Sequence, residues 1–489
     1  MKKTVFLLAG LILAALTCGA QDAFRGAYFM DTYLYGHTMN PALTANRSYA
    51  SVGLGNIDLQ TQTNLSASTF FYPTSGGVLT FLSDAVPAET FLSKIHRHNS
   101  EQLDLRLDLI NFGFWTKSNQ FHNFSLNVRL AQSAAIPYDI FRFLKNGSTD
   151  GTDYDLSGAG MRLRAYGEAA YGISFPVTDE IRIGGKVKAL VGLAYADARF
   201  NRLDVTLSGE RWSVSSEGQM LSSSNLPTAQ TIQALKPEEY LNLDNIDFST
   251  LKPSGFGAAI DLGATWDILP WLQLSASVTD LGFISYKMNR STTQGSWEYT
   301  GFDNISFDGE NDLEDQLQAK LEQLQKLTEF RKVGTTSAMD FLPATFYVGA
   351  KAKPNDWFAA GLLGTVRSQG AFSWAEMRGS VNLEPCHWFG WAGSIAYGTF
   401  GPKFASMLNL RLGPIGLSLG GEITSPYFIS TEPRASHTLE DYWNGDVVAI
   451  PRDNLNVNLM VGLNLVFGKT PAKRNHTGKY AEPLSEQLD

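Results

Sequence analysis

Two histidines come nearest to a reactive pair in this chain of 489 residues. His96 and His98, in "KIHRHN", have the alternate spacing of two metal ligands on one strand face. They lie in a predicted loop with no cysteine and no clear carboxylate cluster beside them. We therefore interpret them as solvated loop residues rather than as a metal site.

The sequence also lacks the signs of catalysis. A hydrolase needs a nucleophile with a histidine partner, and no spacing in the chain selects such a pair. The segment "GLGNID", at 53–58, has neither the spacing nor the following helix of a phosphate-binding loop. We expect a protein that is not an enzyme and has no catalytic residue, cofactor or metal.

Composition and the N-terminus indicate an exported protein. Residues 1–20 combine two lysines, an apolar stretch and small residues before Gln21, which predicts a cleaved signal peptide. Cys18 leaves lipidation as an alternative; if Cys18 is removed, only Cys386 remains and no internal disulfide can form. A net charge of -9 and a pI near 5.4 argue against a nucleic-acid partner.

Long alternating segments indicate membrane strands. In "NLNVNLMVGLNLVFGK", at 454–469, apolar residues occupy one parity and mostly asparagine and glycine the other. The run is longer than the ~5–6 residues of an ordinary strand and reaches the ~9–11 that cross a bilayer. The chain after residue 20 has no apolar run long enough for a spanning helix, so a membrane form requires a closed barrel.

Similar patterns predict an all-β, closed antiparallel barrel of about fourteen strands with short turns at one end and long loops at the other, which is typical of bacterial outer-membrane proteins. We place the barrel at 48–468, after a plug-like segment at 21–47 and before a periplasmic tail at 469–489 that we expect to be disordered. The predicted strands lie near 48–65, 102–116, 121–134, 159–176, 180–200, 254–267, 271–288, 341–352, 357–368, 371–383, 388–398, 403–412, 415–425 and 453–468. Leucines at helical spacing predict a helix over 311–330, and shorter helices are expected in "AETFLSKI" and "PYDIFRFL".

Aromatic residues supply two further expectations. Tryptophans beside the short turns predict a girdle at the lipid–water boundary: Trp115, Trp266, Trp271, Trp357 and Trp388. The end of the last strand, with Gly462, Leu465 and Phe467, resembles the signal read by the bacterial barrel-insertion machinery.

The inward parity predicts a charged lumen. Its charged members are Asp104, Arg106, Asp108, Arg129, Arg162, Arg164, Lys186, Lys188, Asp261 and Arg411. We expect most of them to pair across strands, with Arg106, Arg129 and Arg411 as possible ligand contacts. An aromatic cluster in the plug-like segment, with Tyr28, Phe29, Tyr33 and Tyr35, covers an apolar ligand or wedges the segment against the wall.

Two resemblances bear on function. The triplet Asn40, Pro41 and Ala42 resembles the plug motif of FadL-type long-chain fatty acid transporters, and the strand count agrees. The triplets Asp261 to Gly263 and Asp280 to Gly282, the second within "SVTDLGFISY", resemble a Bacteroidota family of outer-membrane proteins of unknown function. The first resemblance implies transport, and the second implies architecture and location only.

The leading hypothesis is a Gram-negative outer-membrane barrel that passes or binds a small, hydrophobic solute. Its partners would be outer-membrane lipid, the insertion machinery and that solute. The alternative is an accessory barrel of a secretion system or the cell surface, which docks a protein partner through its long loops. A secreted soluble β protein is the third possibility.

Overall fold

A computed structural model describes residues 24–74, 77–146, 152–207, 212–226, 228–230, 239–241, 252–299, 330–424, 428–431, 448–451 and 456–468. The predicted signal peptide, nearly all of the predicted helix at 311–330 and the tail at 469–489 lie outside these residues.

Fourteen antiparallel strands form the wall, as predicted. Each wall strand pairs with the next along the chain, and the last pairs with the first, for example at Leu59 opposite Leu459, so the sheet closes into a barrel. The strands are β1 Ser48–Thr63, β2 His98–Trp115, β3 Phe121–Pro137, β4 Gly160–Pro176, β5 Ile181–Leu207, β6 Gly255–Leu269, β7 Leu272–Tyr299, β8 Ala344–Ala352, β9 Phe358–Ser368, β10 Trp374–Cys386, β11 Phe389–Gly398, β12 Gly401–Leu412, β13 Ile415–Ile423 and β14 Val457–Phe467.

The alternation places apolar side chains outside and mostly polar side chains inside. In β14, Leu459, Val461 and Leu463 are about half exposed, whereas Asn458 and Asn464 are buried. An apolar exterior around a polar interior is the pattern of a barrel solvated by lipid. Among the described residues, no helix is both long and apolar enough to cross a bilayer.

Two wall strands extend far beyond the membrane. β5 has 27 residues and β7 has 28, against the ~9–11 residues that span a bilayer. Strand Trp212–Ser223 pairs with both of them, and strand Arg331–Phe341 continues β8 along β7 beyond a break at Leu342 and Pro343. The long connections at 201–253 and 289–340, which lie between predicted strands, therefore contain further strands, because part of this sequence forms sheet outside the barrel.

Short elements above the outer rim form a small second core. Helices Ala88–Leu92 and Tyr138–Asn146 confirm the two short helices expected from sequence. Buried Phe70, Phe91 and Phe141 pack together there. The remaining described elements are helix Ala67–Phe70, the 3-10 turns Arg25–Ala27, Gly36–Thr38 and Gly370–Phe372, and strands Phe71–Thr74, Gly77–Thr80, Thr152–Asp155, Thr228–Gln230, Glu239–Leu241, Phe428–Thr431 and Val448–Pro451.

Candidate functional site: the plug and the lumen

The segment that precedes β1, residues 24–47, folds into the lumen, and we call it the plug. Near its start, Arg25 pairs with Glu376 close to the outer end of β10. The chain then descends, and Asp31 pairs with Lys351 and Lys353 at the inner end of β8. It crosses the inner mouth before entering β1 at Ser48. The plug therefore spans much of the height of the barrel and contacts many of its strands.

The Asn40, Pro41 and Ala42 triplet joins the plug to the wall. The Asn40 side chain accepts a hydrogen bond from the Ala42 N–H at 2.9 Å, which closes a tight turn. The same side chain donates to the Ala264 carbonyl at 3.3 Å and to the Tyr28 hydroxyl at 3.2 Å. The Asn40 side chain thus links the turn at Pro41 both to Tyr28 in another part of the plug and to strand β6 of the wall.

Glycines in the wall make room for the plug, and we call four of them the glycine sockets: Gly184, Gly263, Gly361 and Gly390. A Cβ atom added at Gly184 would lie 2.2 Å from the Pro41 backbone, and one at Gly361 would lie 2.1 Å from the Phe29 ring. Added Cβ atoms at Gly263 and Gly390 would meet Asn40 and Thr32 at 2.0 and 2.3 Å. Glycine within a strand often marks the close approach of another chain segment, so the wall is shaped to this plug.

Aromatic side chains fill the space between plug and wall. Tyr28, Phe29, Tyr33 and Tyr35 are all buried, together with inward residues of the wall. Those wall residues include Tyr347, Leu363, Met407, Met460 and Val466. Met460, which interrupts the polar parity of β14, is fully buried against the plug. The side chains of the plug pack directly against the wall here.

A buried polar chain passes from the wall through His37. Lys186 lies 3.3 Å from Nδ1 of His37 and donates to its carbonyl at 3.2 Å. His37 Nε2 lies 2.6 Å from the Tyr49 hydroxyl, which donates to Asn111 at 2.8 Å. Burial, reinforced by Lys186 and Arg106, holds the pKa of His37 well below its usual range. A neutral ring that accepts from Lys186 at Nδ1 and donates from Nε2 satisfies every contact.

Asp31 anchors the plug at the inner mouth. Its carboxylate pairs with Lys351 and, at 2.6 Å, with Lys353. Burial alone would raise the pKa of Asp31, but the two ammonium groups outweigh burial and hold the pKa far below its ordinary value. The backbone N–H groups of Asp31 and Thr32 donate to Glu384 at 3.0 and 2.6 Å.

A second ionic anchor lies higher in the lumen. Glu376 accepts from Arg25 at 3.2 Å, from Arg378 at 2.8 Å and from Lys403 at 2.9 Å. Arg378 also pairs with Glu422 at 2.5 Å. Only Arg25 belongs to the plug, so the wall residues can keep their own network if the plug moves.

The two Asp-Leu-Gly triplets meet at an irregularity of the wall. Lys188 donates to Asp261 at 2.8 Å and to Asp280 at 2.6 Å, and Arg129 donates to Asp280 at 3.1 Å. The pairing of β6 with β7 shifts register here, and Asp280 has φ of 62°, a conformation uncommon for residues other than glycine. The sequence predicted Lys188, Arg129 and Asp261 as inward charges but missed the role of Asp280.

Side chains also bridge the lumen directly. Arg367 of β9 donates to Asp104 of β2 at 3.2 Å, and Arg164 of β4 pairs with Asp340 at 2.5 Å. A cavity beside these pairs has a volume of about 10 Å³, which is roughly the space for one water molecule. These pairs cross the lumen beside that cavity.

Nearly all of the predicted lumen charges lie on the inner face of the wall, and they form ion pairs or hydrogen bonds. Arg106 pairs with Asp108 at 2.9 Å, and Arg162 pairs with Asp197 at 2.7 Å. Arg411 differs, because it lies at the inner mouth beside Arg47. Among the described residues, no cluster of three or more metal-ligating side chains is present.

The tryptophans divide into two groups. Trp266, Trp271, Trp357 and Trp388 are 48–52% exposed near the inner turns, where the predicted girdle would lie. The girdle prediction is wrong for Trp115, whose indole packs toward the plug and donates to the Ala45 carbonyl at 2.9 Å. The insertion signal stays a prediction; Leu465 and Phe467 face outward, and Gly462 faces Tyr35 in the lumen.

Together these features define a closed membrane β-barrel whose N-terminal segment plugs its own lumen. The chain belongs to a family described as "Family of unknown function (DUF5723)", whose model matches residues 41–421. This membership confirms the resemblance to a family of unknown function.

Solved structures with similar coordinates include two bacterial barrels. One is a FadL homologue of Pseudomonas aeruginosa, with 10% identity, a TM-score of 0.43, and coverage of 92% of this chain and 99% of that chain. Another is the toluene transporter TbuX of Ralstonia pickettii, with 9% identity, a TM-score of 0.39, and coverage of 90% and 95%. These values assign no substrate to the chain. No curated protein matches it.

Proposed function

We propose that this protein is an outer-membrane barrel that passes a small, apolar solute when its plug shifts. The observation that supports this proposal is the apolar contact between the plug and the inner wall, where Tyr347, Leu363, Met407 and Met460 face the lumen. Water-filled porins have polar interiors, whereas an apolar lining with a few polar groups suits an apolar ligand.

The types of contact that hold the plug are compatible with such a shift. Apolar contacts are not directional, so a solute of similar character can take the place of a plug side chain such as Phe29. The ionic anchors of the plug are few, with Arg25 held near the outer end of the wall and Asp31 near its inner end. Movement between these anchors would open a path along the apolar side of the wall.

An uptake assay tests the proposal. The full chain is expressed in a Gram-negative host that lacks its own hydrocarbon channels, and uptake of labelled toluene and of a long-chain fatty acid is measured. The double variant R25Q/D31N, which weakens both ionic anchors, should raise uptake of the accepted solute several-fold over the wild type. The matched control is R202Q, which alters an exposed arginine of β5 that pairs with Asp204 at 2.6 Å. Absence of solute-dependent uptake in all three proteins would remove the proposal.

A second candidate function is docking of a protein partner. Two observations favour it: the lumen is bridged by Arg367 and Asp104, and a sheet that includes Trp212–Ser223 and Arg331–Phe341 projects beyond the barrel. Crosslinking at the cell surface followed by purification separates the two functions. A stoichiometric protein favours docking, and a co-purified apolar small molecule favours passage.

A further inference from the structure

A second cavity opens at the inner mouth of the barrel, between the end of the plug and strands β12 and β13. Its volume is about 30 Å³. Plug residues on one side and wall residues on the other form it, so anything bound there contacts both. Its lining includes Thr32, Asn46, Arg47, Asn409, Arg411 and Ser418.

The cavity carries positive charge that no lining residue neutralises. Arg47 and Arg411 both face it, and among the described residues that line it there is no carboxylate. Burial and the neighbouring Arg411 guanidinium lower the pKa of Arg47. This differs from the rest of the lumen, where arginines such as Arg106 and Arg164 have acidic partners.

Arg47 and Arg411 use only some of their hydrogen-bond donors. Arg47 donates to the Gly468 carbonyl at 2.9 Å, and Arg411 donates through Nε to the Gly413 carbonyl at 3.1 Å. The Nη1 atom of Arg411 is buried and has no partner among the described residues. Removing a charged donor from water without a partner is costly, so this atom points to a missing acceptor.

Asn409 adds a second unsatisfied atom. It is 6% exposed, and its amide nitrogen donates to the Thr32 hydroxyl at 3.3 Å. Its side-chain oxygen is buried and has no partner within the described structure. A ligand for this cavity should therefore present acceptor oxygens to the arginines and one donor to Asn409.

We infer that this cavity binds the phosphate group of an anion, and that the bound anion ties the end of the plug to β12 and β13. Guanidinium groups bind phosphate with paired, charge-assisted hydrogen bonds. A phosphate hydroxyl, or a hydroxyl of an attached glycerol, supplies the donor for Asn409. The phosphate can come from solution or from a lipid headgroup. A headgroup is a source because Trp388, which lines the cavity, is also 48% exposed and lies among the tryptophans near the inner turns.

This inference does not depend on solute passage. It is tested on the purified full chain in a detergent without phosphate groups, by titration with inorganic phosphate or with short-chain phosphatidylglycerol while thermal unfolding is monitored. Binding should raise the unfolding temperature in a saturable way. R47Q and R411Q should each weaken the apparent affinity by about tenfold, the loss expected for a charge-assisted hydrogen bond.

The matched control is R182Q, which removes an arginine from the same end of the barrel. Saturation by phosphate and by the lipid alike supports a phosphate site open to both sources, saturation by the lipid alone assigns a headgroup, and saturation by phosphate alone assigns a soluble anion. No saturable shift in the wild type overturns the site, as does an equal loss in R182Q. Heat-modifiable migration on a gel shows that each variant is folded, and R411K keeps the test open if R411Q does not fold.

Discussion

Arg367 and Asp104 join opposite sides of the barrel: Nη2 of Arg367 lies 3.2 Å from Oδ1 of Asp104, although their strands, β9 and β2, are seven positions apart in a ring of fourteen. Strands that are half the ring apart lie on opposite sides of the lumen, so this pair crosses it. Both side chains are buried.

Removing one member of this pair should destabilise the barrel. R367Q removes the arginine that donates to the buried Asp104 carboxylate, and breaking a buried pair of this kind costs roughly 3–5 kcal/mol. The double variant D104N/R367Q should recover part of that loss because no charge is stranded. Urea unfolding of the purified barrel measures both. Additive losses in the double variant would contradict a direct interaction.

Filling a glycine socket should displace the plug. G184A places a methyl group against the Pro41 backbone, and overpacking of this kind costs about 1–3 kcal/mol. Hydrogen exchange followed by mass spectrometry should show faster exchange in residues 24–47. G379A is the matched control, since an added Cβ there meets nothing within 4 Å. Equal exchange in the two variants would show that the socket does not position the plug.

His37 should make the folded state sensitive to mild acid. Its pKa is lowered by burial in the folded protein, whereas an unfolded histidine titrates near pH 6.5. Below that pH the unfolded chain therefore binds a proton that the folded chain excludes, and stability falls by up to about 1.4 kcal/mol per pH unit. Unfolding free energies measured between pH 7.5 and 5 should show this slope in the wild type and a flatter one in H37N. Parallel slopes would count against a neutral buried ring.

Asp31 should respond to pH in a different range. Its pKa is lowered in the folded state, so its ion pairs contribute fully above the unfolded value of about 3.9 and are lost as pH falls further. In the H37N background, where the titration of His37 is absent, exchange protection of the plug near Asp31 should thus be equal at pH 7 and pH 5. The carboxylate is 43% exposed, so solvent screens the pairs and D31N should cost only about 0.5–1 kcal/mol of plug protection. D356N, at the exposed inner turn, is the control; an equal loss there would argue against a specific anchor.

The barrel itself was predictable because its physical cause is local. Lipid on one side and polar side chains on the other impose a period of two, which is visible in each strand from β1 to β14. The prediction ended too early in β5 and β7 because in their extensions the buried face of β7 carries polar residues such as Ser291 and Thr293, so the alternation of apolar residues fades. Trp115 was assigned to the wrong face because tryptophan beside a turn is typical of both the lipid boundary and a plug contact.

The plug contacts were not predictable, since they join residues hundreds of positions apart. Nothing local relates Arg25 to Glu376 or Asp31 to Lys351. One signal was nevertheless present in the sequence: Gly184 and Gly263 lie on the inward parity of their strands, where a glycine indicates close approach of another segment. The triplet Asn40, Pro41 and Ala42 identified part of the plug from sequence, but it did not identify the wall strands that the plug contacts.

The hydrogen bond from Tyr35 to Asn464, at 2.5 Å, joins the plug to the last strand of the wall. β14 is made last as the chain is synthesised, and its pairing with β1 seals the cylinder. We expect the plug to be in place before β14 pairs with β1. The plug would then act as an internal template around which the wall assembles. Truncation of the plug should therefore impair assembly of the barrel before it affects any later function.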